Sequence, residues 1–277
     1  MSEFYHSGEA RLGFSDSGSG VPVVFLHPTP IDREYWRPLM RHLKNIRAIA
    51  PDFRGHGASE LGSDLPVGGF SRVPEAPVLT IAQLGSDILA LLDHLQLHSA
   101  VFAGCSIGGY VLLELWRRAP ERMRGLSFIC SKPQPDAEAN LERRVETISR
   151  AEKEGVGPLF DEMAVNLTGS AARQVQPAIV TQLRSRMTLT ARALTAVQAG
   201  LATRPDSVPT VASIHLPVLA IAGGADSAVT PAEMEAFKFA PGGCIFHTLP
   251  VAGHFAAFEQ PRTVSALMTP WLRRFAS

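Results

Sequence analysis

The feature that most restricts the fold of this 277-residue chain is the alternation of short apolar runs with helical patterns. Six runs read as strands: VPVVFLH, IRAIA, SAVFAGC, GLSFICS, PVLAIAGG and CIFHTLP, at residues 21–27, 46–50, 99–105, 125–131, 217–224 and 244–250. Weaker strand patterns occur at 4–6 and 10–16. Helical patterns cover residues 32–43, 80–95, 107–118, 231–240 and 259–275. Apolar strands that alternate with helices predict a mostly parallel, eight-stranded sheet with helices on both faces.

One stretch interrupts this alternation. Residues 132–208 contain no convincing strand pattern, and they carry charged and apolar helical patterns over 137–153 and 156–167. A plain connection between two strands is rarely this long. We therefore expect a helical insertion at 132–208 and a core domain made of residues 1–131 and 209–277.

Composition argues against several kinds of partner. The formal net charge is zero, which does not favour nucleic acid, and the pairs Arg143-Arg144 and Arg273-Arg274 are interpreted as solvated helix faces. No run approaches the roughly 20 apolar residues of a membrane span, and the first residues do not resemble a signal peptide. The three cysteines show neither a CxxC motif nor metal-ligand spacing. We therefore predict a cytoplasmic protein without a nucleic-acid or membrane partner.

A serine lies where the third apolar run meets the next helical pattern. Gly104-Cys105-Ser106-Ile107-Gly108 fits the pattern G-x-S-x-G, with a strand before it and a helix after it. A side chain at either flanking glycine would collide with neighbouring backbone in so sharp a turn. The helix that starts at Ile107 directs free N–H groups toward the serine, where they would stabilise a developing oxyanion. The alternative interpretation is a glycine-rich turn with a capping serine.

A serine hydroxyl becomes a strong nucleophile only when a base removes its proton. Of the nine histidines, His254 stands out because its glycine-bearing loop directly follows the last predicted strand. A histidine base needs a carboxylate that fixes its tautomer, and Asp226 lies just after the run PVLAIAGG, in the segment GGAD. Asp136, which follows the strand at 125–131, is the alternative acid. Ser106, Asp226 and His254 all lie at carboxyl ends of predicted parallel strands, where such sheets bind ligands.

These motifs resemble those of the α/β-hydrolase superfamily over residues 10–275. The resemblance rests on five segments in the family's order: VVFLHPTP, DFRGHGAS, GCSIGG, GGAD and AGH, at 23–30, 52–59, 104–109, 223–226 and 252–254. It implies an α/β-hydrolase fold in which 132–208 is a helical cap over the substrate pocket. It also implies that Ser106 is the nucleophile, Asp226 the acid and His254 the base.

The resemblance further implies an oxyanion hole made by the backbone N–H groups of Ile107 and Thr29. The chain departs from the family here, because the usual His-Gly pair reads His27-Pro28. Proline fixes φ and has no N–H, so we expect a stiffer loop that keeps the Thr29 donor. The Thr29 hydroxyl could add a side-chain contact.

Two further groups of residues follow from the resemblance. Arg54 and His56, in the segment DFRGHGAS, are expected to organise loops. Four apolar side chains of the cap are candidates for lining the pocket, with packing inside the cap as the alternative: Phe160, Met163, Leu167 and Met187.

A serine at the nucleophile position argues against haloalkane dehalogenases and epoxide hydrolases, whose counterpart is aspartate. The missing glycine-rich oxyanion loop argues against the carbon–carbon bond hydrolases of aromatic breakdown. We therefore predict a serine carboxylesterase that acts on a small-molecule ester or lactone and needs no metal or cofactor. The alternatives are a lactonase, a carbon–carbon bond hydrolase, a perhydrolase or cofactor-free haloperoxidase on the same residues, or a non-catalytic ligand receptor.

Overall fold

A computed structural model describes residues 3–63 and 65–276 of the chain. Eight strands form one sheet: β1 Glu3–Ser7, β2 Ala10–Gly18, β3 Val21–Leu26, β4 Ile46–Pro51, β5 Ala100–Cys105, β6 Met123–Ile129, β7 Val218–Gly223 and β8 Cys244–Leu249. Each strand lies within two residues of a run predicted from the sequence.

The order of the strands in the sheet is β1-β2-β4-β3-β5-β6-β7-β8. Strand β2 pairs antiparallel with β1 and with β4, and every other pairing is parallel. Every residue of β5 is buried, as expected for a central strand that helices cover on both faces. The mostly parallel, eight-stranded sheet predicted from the sequence is confirmed.

The α-helices of the described residues connect and cover these strands: α1 Arg37–Met40, α2 Ile81–His94, α3 Ile107–Arg118, α4 Glu138–Glu154, α5 Val156–Asn166, α6 Ser170–Val175, α7 Ile179–Arg184, α8 Ala191–Ala202, α9 Val208–Val211, α10 Pro231–Met234, α11 Ala256–Glu259 and α12 Pro261–Leu272. Short 3-10 segments occur at Arg33–Trp36, Pro120–Arg122, Glu235–Phe239 and Arg273–Phe275. None of these helices combines the length and the apolar content that a membrane crossing needs.

Three predicted helices are shorter or broken in the structure. The pattern over 32–43 folds as a 3-10 turn followed by the four-residue α1, and α10 likewise passes into a 3-10 segment. At the end of the chain, Pro261 has no N–H to continue α11, so a new helix begins there. Thr230 caps α10 in a capping box with Glu233, as its position before Pro231 predicts.

Helices α4 to α8 form the helical insertion, residues 132–208, between β6 and β7. Its apolar side chains continue the main core, since Phe160 and Leu194 belong to the same cluster as Phe128 of β6. The division into a core domain and a cap therefore stays a prediction about topology, because the two parts share one apolar interior.

The loop between β4 and α2 packs against the insertion. Phe70 packs with Ile148 of α4 and Ala199 of α8 in a second, smaller apolar cluster. The Leu79 N–H donates to the Ala196 carbonyl at 2.9 Å. This loop has little regular structure of its own, so no periodic pattern in the sequence indicated its role.

The parallel strands bring three predicted site residues to one edge of the sheet. Ser106 directly follows β5, Asp226 lies three residues after β7, and His254 lies five residues after β8. Since β5, β6, β7 and β8 are neighbours and parallel, their carboxyl ends meet at this edge.

Candidate active site

Ser106 occupies a strained turn between β5 and α3. Its φ is 52° and its ψ is −117°, in a region that non-glycine residues rarely adopt. A Cβ on Gly104 would collide with the Gly108 backbone, and a Cβ on Gly108 would collide with the Leu26 carbonyl. Both glycines are therefore needed for the helix to approach the strands this closely.

Strand β6 and the residues that follow it hold this turn in place. The Ser106 N–H donates to the Ile129 carbonyl at 3.1 Å, and the Ser131 hydroxyl donates to the Ser106 carbonyl at 2.8 Å. The Ser106 side chain makes no capping hydrogen bond to α3, so the capping role considered above is absent. Ile107 is the first residue of α3, and its N–H has no acceptor within the helix.

His254 and Asp226 form a buried pair. His254 Nδ1 lies 2.8 Å from Asp226 Oδ2, and Asp226 Oδ1 accepts from the N–H groups of Ala228 at 2.8 Å and Val229 at 3.1 Å. Burial alone would raise the pKa of Asp226. His254 and the backbone donors outweigh burial and lower that pKa below its usual value, so the carboxylate is ionised at neutral pH. The structure thus places Asp226, and not the alternative Asp136, beside His254.

The loop that carries His254 is fixed by a second buried acid. The Glu259 carboxylate accepts from the N–H groups of Gly253 at 2.9 Å and Phe255 at 3.2 Å, which flank His254. It also accepts from the Gly169 N–H of the insertion at 3.1 Å. The backbone N–H of His254 donates to the Leu167 carbonyl of the insertion at 2.8 Å. The insertion and the His254 loop are therefore directly bonded to each other.

Replacing Glu259 with glutamine is expected to lower the free energy of unfolding by about 1–3 kcal/mol, because the amide nitrogen would face a backbone N–H that has lost its acceptor. Urea unfolding measures the change, and Glu235→Gln on the exposed surface is the matched control. Equal stability of the two variants would contradict the role of Glu259.

A buried histidine holds the start of the Thr29 loop. His27 Nδ1 lies 2.9 Å from the Pro28 carbonyl oxygen, which can only accept, so Nδ1 carries the proton. Its Nε2 accepts from the Phe53 N–H at 2.9 Å. Burial lowers the pKa of His27 to about 4, which keeps this arrangement neutral at physiological pH.

A second buried histidine fixes the Thr29 side chain. His56 Nδ1 donates to the Arg54 carbonyl at 2.9 Å, so Nε2 accepts from the Thr29 hydroxyl at 3.0 Å. Arg54 is anchored in turn by Asp87, with nitrogen–oxygen distances of 2.8 and 3.0 Å. Arg54 and His56 thus lie where they organise loops, and the Thr29 hydroxyl donates to His56 rather than into the cavity.

The two neutral histidines predict a loss of stability in acid. Burial lowers the pKa of His56 from 6.5 to about 3, so the unfolded chain binds more protons than the folded chain between these values. The stabilisation is complete above pH 6.5 and declines as the pH falls, by up to about 1.4 kcal/mol per pH unit for each histidine. Burial raises the pKa of some carboxyls, such as Asp32 to about 6, and these groups instead add stability as the pH falls.

The variant His56→Gln removes the contribution of one of these two histidines to the pH dependence of stability. Measured by urea unfolding, the free energy of unfolding should fall less steeply from pH 6.5 to pH 4 in this variant than in the wild type. The exposed control His98→Gln should behave like the wild type. Identical slopes in all three proteins would contradict a neutral, buried His56.

Ser106, His254 and Thr29 line one cavity of about 320 Å³. Of the four predicted pocket residues, Met163 and Leu167 lie at its wall. Phe160 and Met187 are not among the residues that line it, which favours the alternative of packing inside the cap for these two. Both residues are buried: Phe160 lies on α5, and Met187 follows α7 and forms an isolated β-bridge with Ile31.

The cavity wall also carries charged and polar side chains of the insertion, among them Lys132, Asp136, Arg143 and Arg144. Asp136 forms ion pairs with Arg144 and Arg204, and only 17% of the Arg144 side chain is exposed. The interpretation of this pair, Arg143-Arg144, as a solvated helix face was therefore wrong for Arg144, whereas Arg143 is exposed. Apolar periodicity shows that α4 is amphipathic, but not that its polar face looks into a cavity.

One group of side chains has the spacing of a metal site. Atoms of Cys130, Asp226 and His254 lie within 4.8 Å of one another. A metal ligand must be deprotonated, but burial raises the pKa of the Cys130 thiol well above its usual value. His254 Nδ1 is already engaged by Asp226. These residues fit an aspartate–histidine pair better than a metal centre, and the expectation of no metal stays a prediction.

Comparison with known proteins gives the family. Residues 23–267 match the model of the Alpha/beta hydrolase family. The 3-oxoadipate enol-lactonase 2 of Acinetobacter baylyi is 28% identical over 256 residues, which cover 91% of this chain and 89% of that protein. A thermophilic esterase from Thermogutta terrifontis is 29% identical, with a TM-score of 0.88 and 100% of both chains covered.

A further solved structure, the enol-lactonase from Burkholderia xenovorans LB400, superposes with a TM-score of 0.85 at 24% identity and covers 98% of this chain and 100% of that one. At this identity the likeness shows the fold alone. Together with the family match and the sheet order, it confirms the predicted α/β-hydrolase fold. This chain is therefore a hydrolase that belongs to the Alpha/beta hydrolase family.

Proposed function

We propose that this hydrolase cleaves carboxylic esters with Ser106, His254 and Asp226 as a catalytic triad. One observation carries the proposal: Ser106, on its strained turn, and His254, bound to Asp226 at 2.8 Å, line the same cavity. The similarity to a thermophilic esterase supports it. A cavity of about 320 Å³ lies at the small end of the roughly 300–1,000 Å³ of ligand sites, which favours short or medium acyl groups.

The first half of the reaction forms an acyl-enzyme. His254 Nε2 takes the Ser106 hydroxyl proton while the serine oxygen forms a bond to the ester carbonyl carbon. The carbonyl oxygen becomes an oxyanion, which the backbone N–H groups of Ile107 and Thr29 stabilise. The tetrahedral intermediate then expels the alkoxide, and His254 gives that oxygen its proton, so the alcohol leaves.

The second half releases the acid. A water molecule gives a proton to His254 Nε2 and attacks the acyl carbon. The intermediate expels the Ser106 oxygen, which regains its proton from His254. Asp226 stays ionised throughout, as its lowered pKa allows, and keeps the Nδ1 proton of His254 directed toward itself so that Nε2 can accept.

A covalent probe tests the nucleophile directly. A fluorophosphonate is expected to label Ser106 stoichiometrically, with loss of hydrolysis of 4-nitrophenyl esters in proportion to labelling, and peptide mass spectrometry locates the label. Ser185→Ala, on the exposed surface of the insertion, should label like the wild type. Full turnover after complete labelling, or a label on another residue, would contradict the proposal.

A lactone substrate is the second candidate, because an enol-lactonase is 28% identical over 91% of this chain. The same triad would open a lactone through the same acyl-enzyme, with the leaving alcohol still attached to the acyl group. Turnover of aliphatic esters and lactones of matched size separates the two proposals. A strong preference for lactones, above all at low substrate concentration, would displace the simple ester as the substrate.

A further inference from the structure

The part of the cavity wall that α4 and its neighbours supply has an excess of positive charge. Lys132, Asp136, Arg143 and Arg144 line the cavity directly. Their ion pairs decide how much of this charge is left for a substrate.

Lys132 is neutralised within the protein. Its ammonium group, buried with 5% of the side chain exposed, pairs with the Glu233 carboxylate. The same carboxylate accepts from the Thr230 N–H at 2.8 Å in the capping box of α10. This pair is therefore complete without a ligand.

Asp136 is a single carboxylate shared by two guanidinium groups. It pairs with Arg144 and, at 2.8 Å, with Arg204. Arg204 is buried over the ring of Tyr110, 4.4 Å from its centre, and Arg144 also donates to the Gln198 side chain at 2.7 Å. One of the two positive charges stays uncompensated.

Arg143 adds a second uncompensated charge. It precedes Arg144 on α4, lines the cavity and is exposed, and it forms no ion pair with a carboxylate of residues 3–63 and 65–276. The wall thus combines a guanidinium free to move with one held in place by Asp136 and Gln198, and guanidinium groups bind carboxylates with charge-assisted, often bidentate hydrogen bonds.

We propose that the cavity binds esters or lactones that carry a separate carboxylate, held by Arg143 and Arg144 while the reacting carbonyl lies at Ser106. The cleavage of such a substrate rests on the proposed function, whereas the binding of its carboxylate does not. A neutral acyl chain of the same length would leave the net positive charge of this wall uncompensated, since Asp136 is shared by Arg144 and Arg204 and Arg143 has no carboxylate partner among the described residues.

Two matched substrates test the proposal. For the wild type at low salt, kcat/KM should be at least about tenfold higher for 4-nitrophenyl hydrogen adipate than for 4-nitrophenyl hexanoate, mainly through KM. Arg143→Gln should reduce this ratio severalfold, and added salt should narrow it. Arg192→Gln, an exposed arginine of α8 outside the cavity lining, is the matched control and should keep the wild-type ratio.

Binding measured without turnover separates this proposal from the proposed function. In calorimetry, the monoamide of adipate, which keeps one carboxylate, should bind the wild type more tightly than neutral hexanamide, and Arg143→Gln should lose most of the difference. That result without any ester hydrolysis would support the anion site and contradict the esterase. Ser106-dependent hydrolysis with equal kcat/KM for both esters and equal binding of both amides would overturn the anion site and leave the esterase standing.

Discussion

Ser106→Ala is expected to lower kcat for ester hydrolysis by about 10⁶-fold while the free energy of unfolding stays within about 0.5 kcal/mol of the wild type. The hydroxyl makes no capping hydrogen bond to α3, so its removal breaks no bond that holds the turn. Alanine keeps the backbone of the turn. Initial rates on a 4-nitrophenyl ester and urea unfolding of the same preparation check both halves of the prediction.

Two companion variants make the test sharper. Ser106→Gly should be inactive and more stable than the wild type by about 1 kcal/mol, because glycine adopts a φ of 52° without strain. Ser185→Ala should match the wild type in rate and stability. Residual Ser106→Ala activity above one hundredth of the wild-type rate would mean that the serine is not the nucleophile.

Asp226→Asn is expected to lower kcat by about 10⁴-fold. The N–H groups of Ala228 and Val229 point at one carboxylate oxygen and will keep the amide oxygen of the new side chain on that side. The amide nitrogen then faces His254 Nδ1, which must accept, so the proton moves to Nε2. In that tautomer His254 has no acceptor left for the Ser106 proton.

The control for this substitution is Asp206→Asn, because Asp206 also accepts from a backbone N–H two residues on but is exposed and outside the cavity lining. Its rate should equal that of the wild type. An Asp226→Asn enzyme within tenfold of the wild-type kcat would show that the carboxylate does not orient the base.

The strands and the turn at Ser106 could be predicted because both depend on local chemistry. A run such as AVFAGC reads as a buried strand wherever it lies, and glycines at 104 and 108 are required by backbone contacts that every such turn makes. The order of Ser106, Asp226 and His254 along the chain then placed them at one edge of the sheet.

The lining of the cavity was predicted only in part, because periodicity shows which face of a helix is apolar and not what it faces. Phe160 and Met163 lie one turn apart on α5, yet only Met163 reaches the cavity. Glu259 gave a weak signal, a lone acid among apolar residues in HFAAFEQP. Its partners are backbone groups of its own loop and of Gly169, 90 residues away, and no motif indicates such contacts.

Among the described residues, three hydrogen bonds connect residues 166–169 of the insertion to the loops of Asp226 and His254. The Leu167 carbonyl accepts from the backbone N–H of His254, and the Gly169 N–H donates to Glu259. The Asn166 carbonyl accepts from the Ser227 hydroxyl at 3.0 Å. The wall that carries Arg143 belongs to a different segment, α4. Leu167 also lines the cavity, so we expect only the share of substrate preference that α4 supplies to be separable from catalysis under mutation. New specificities can arise by substitution in α4 while 166–169 is conserved, and cap exchanges between relatives should succeed only when this short segment is retained.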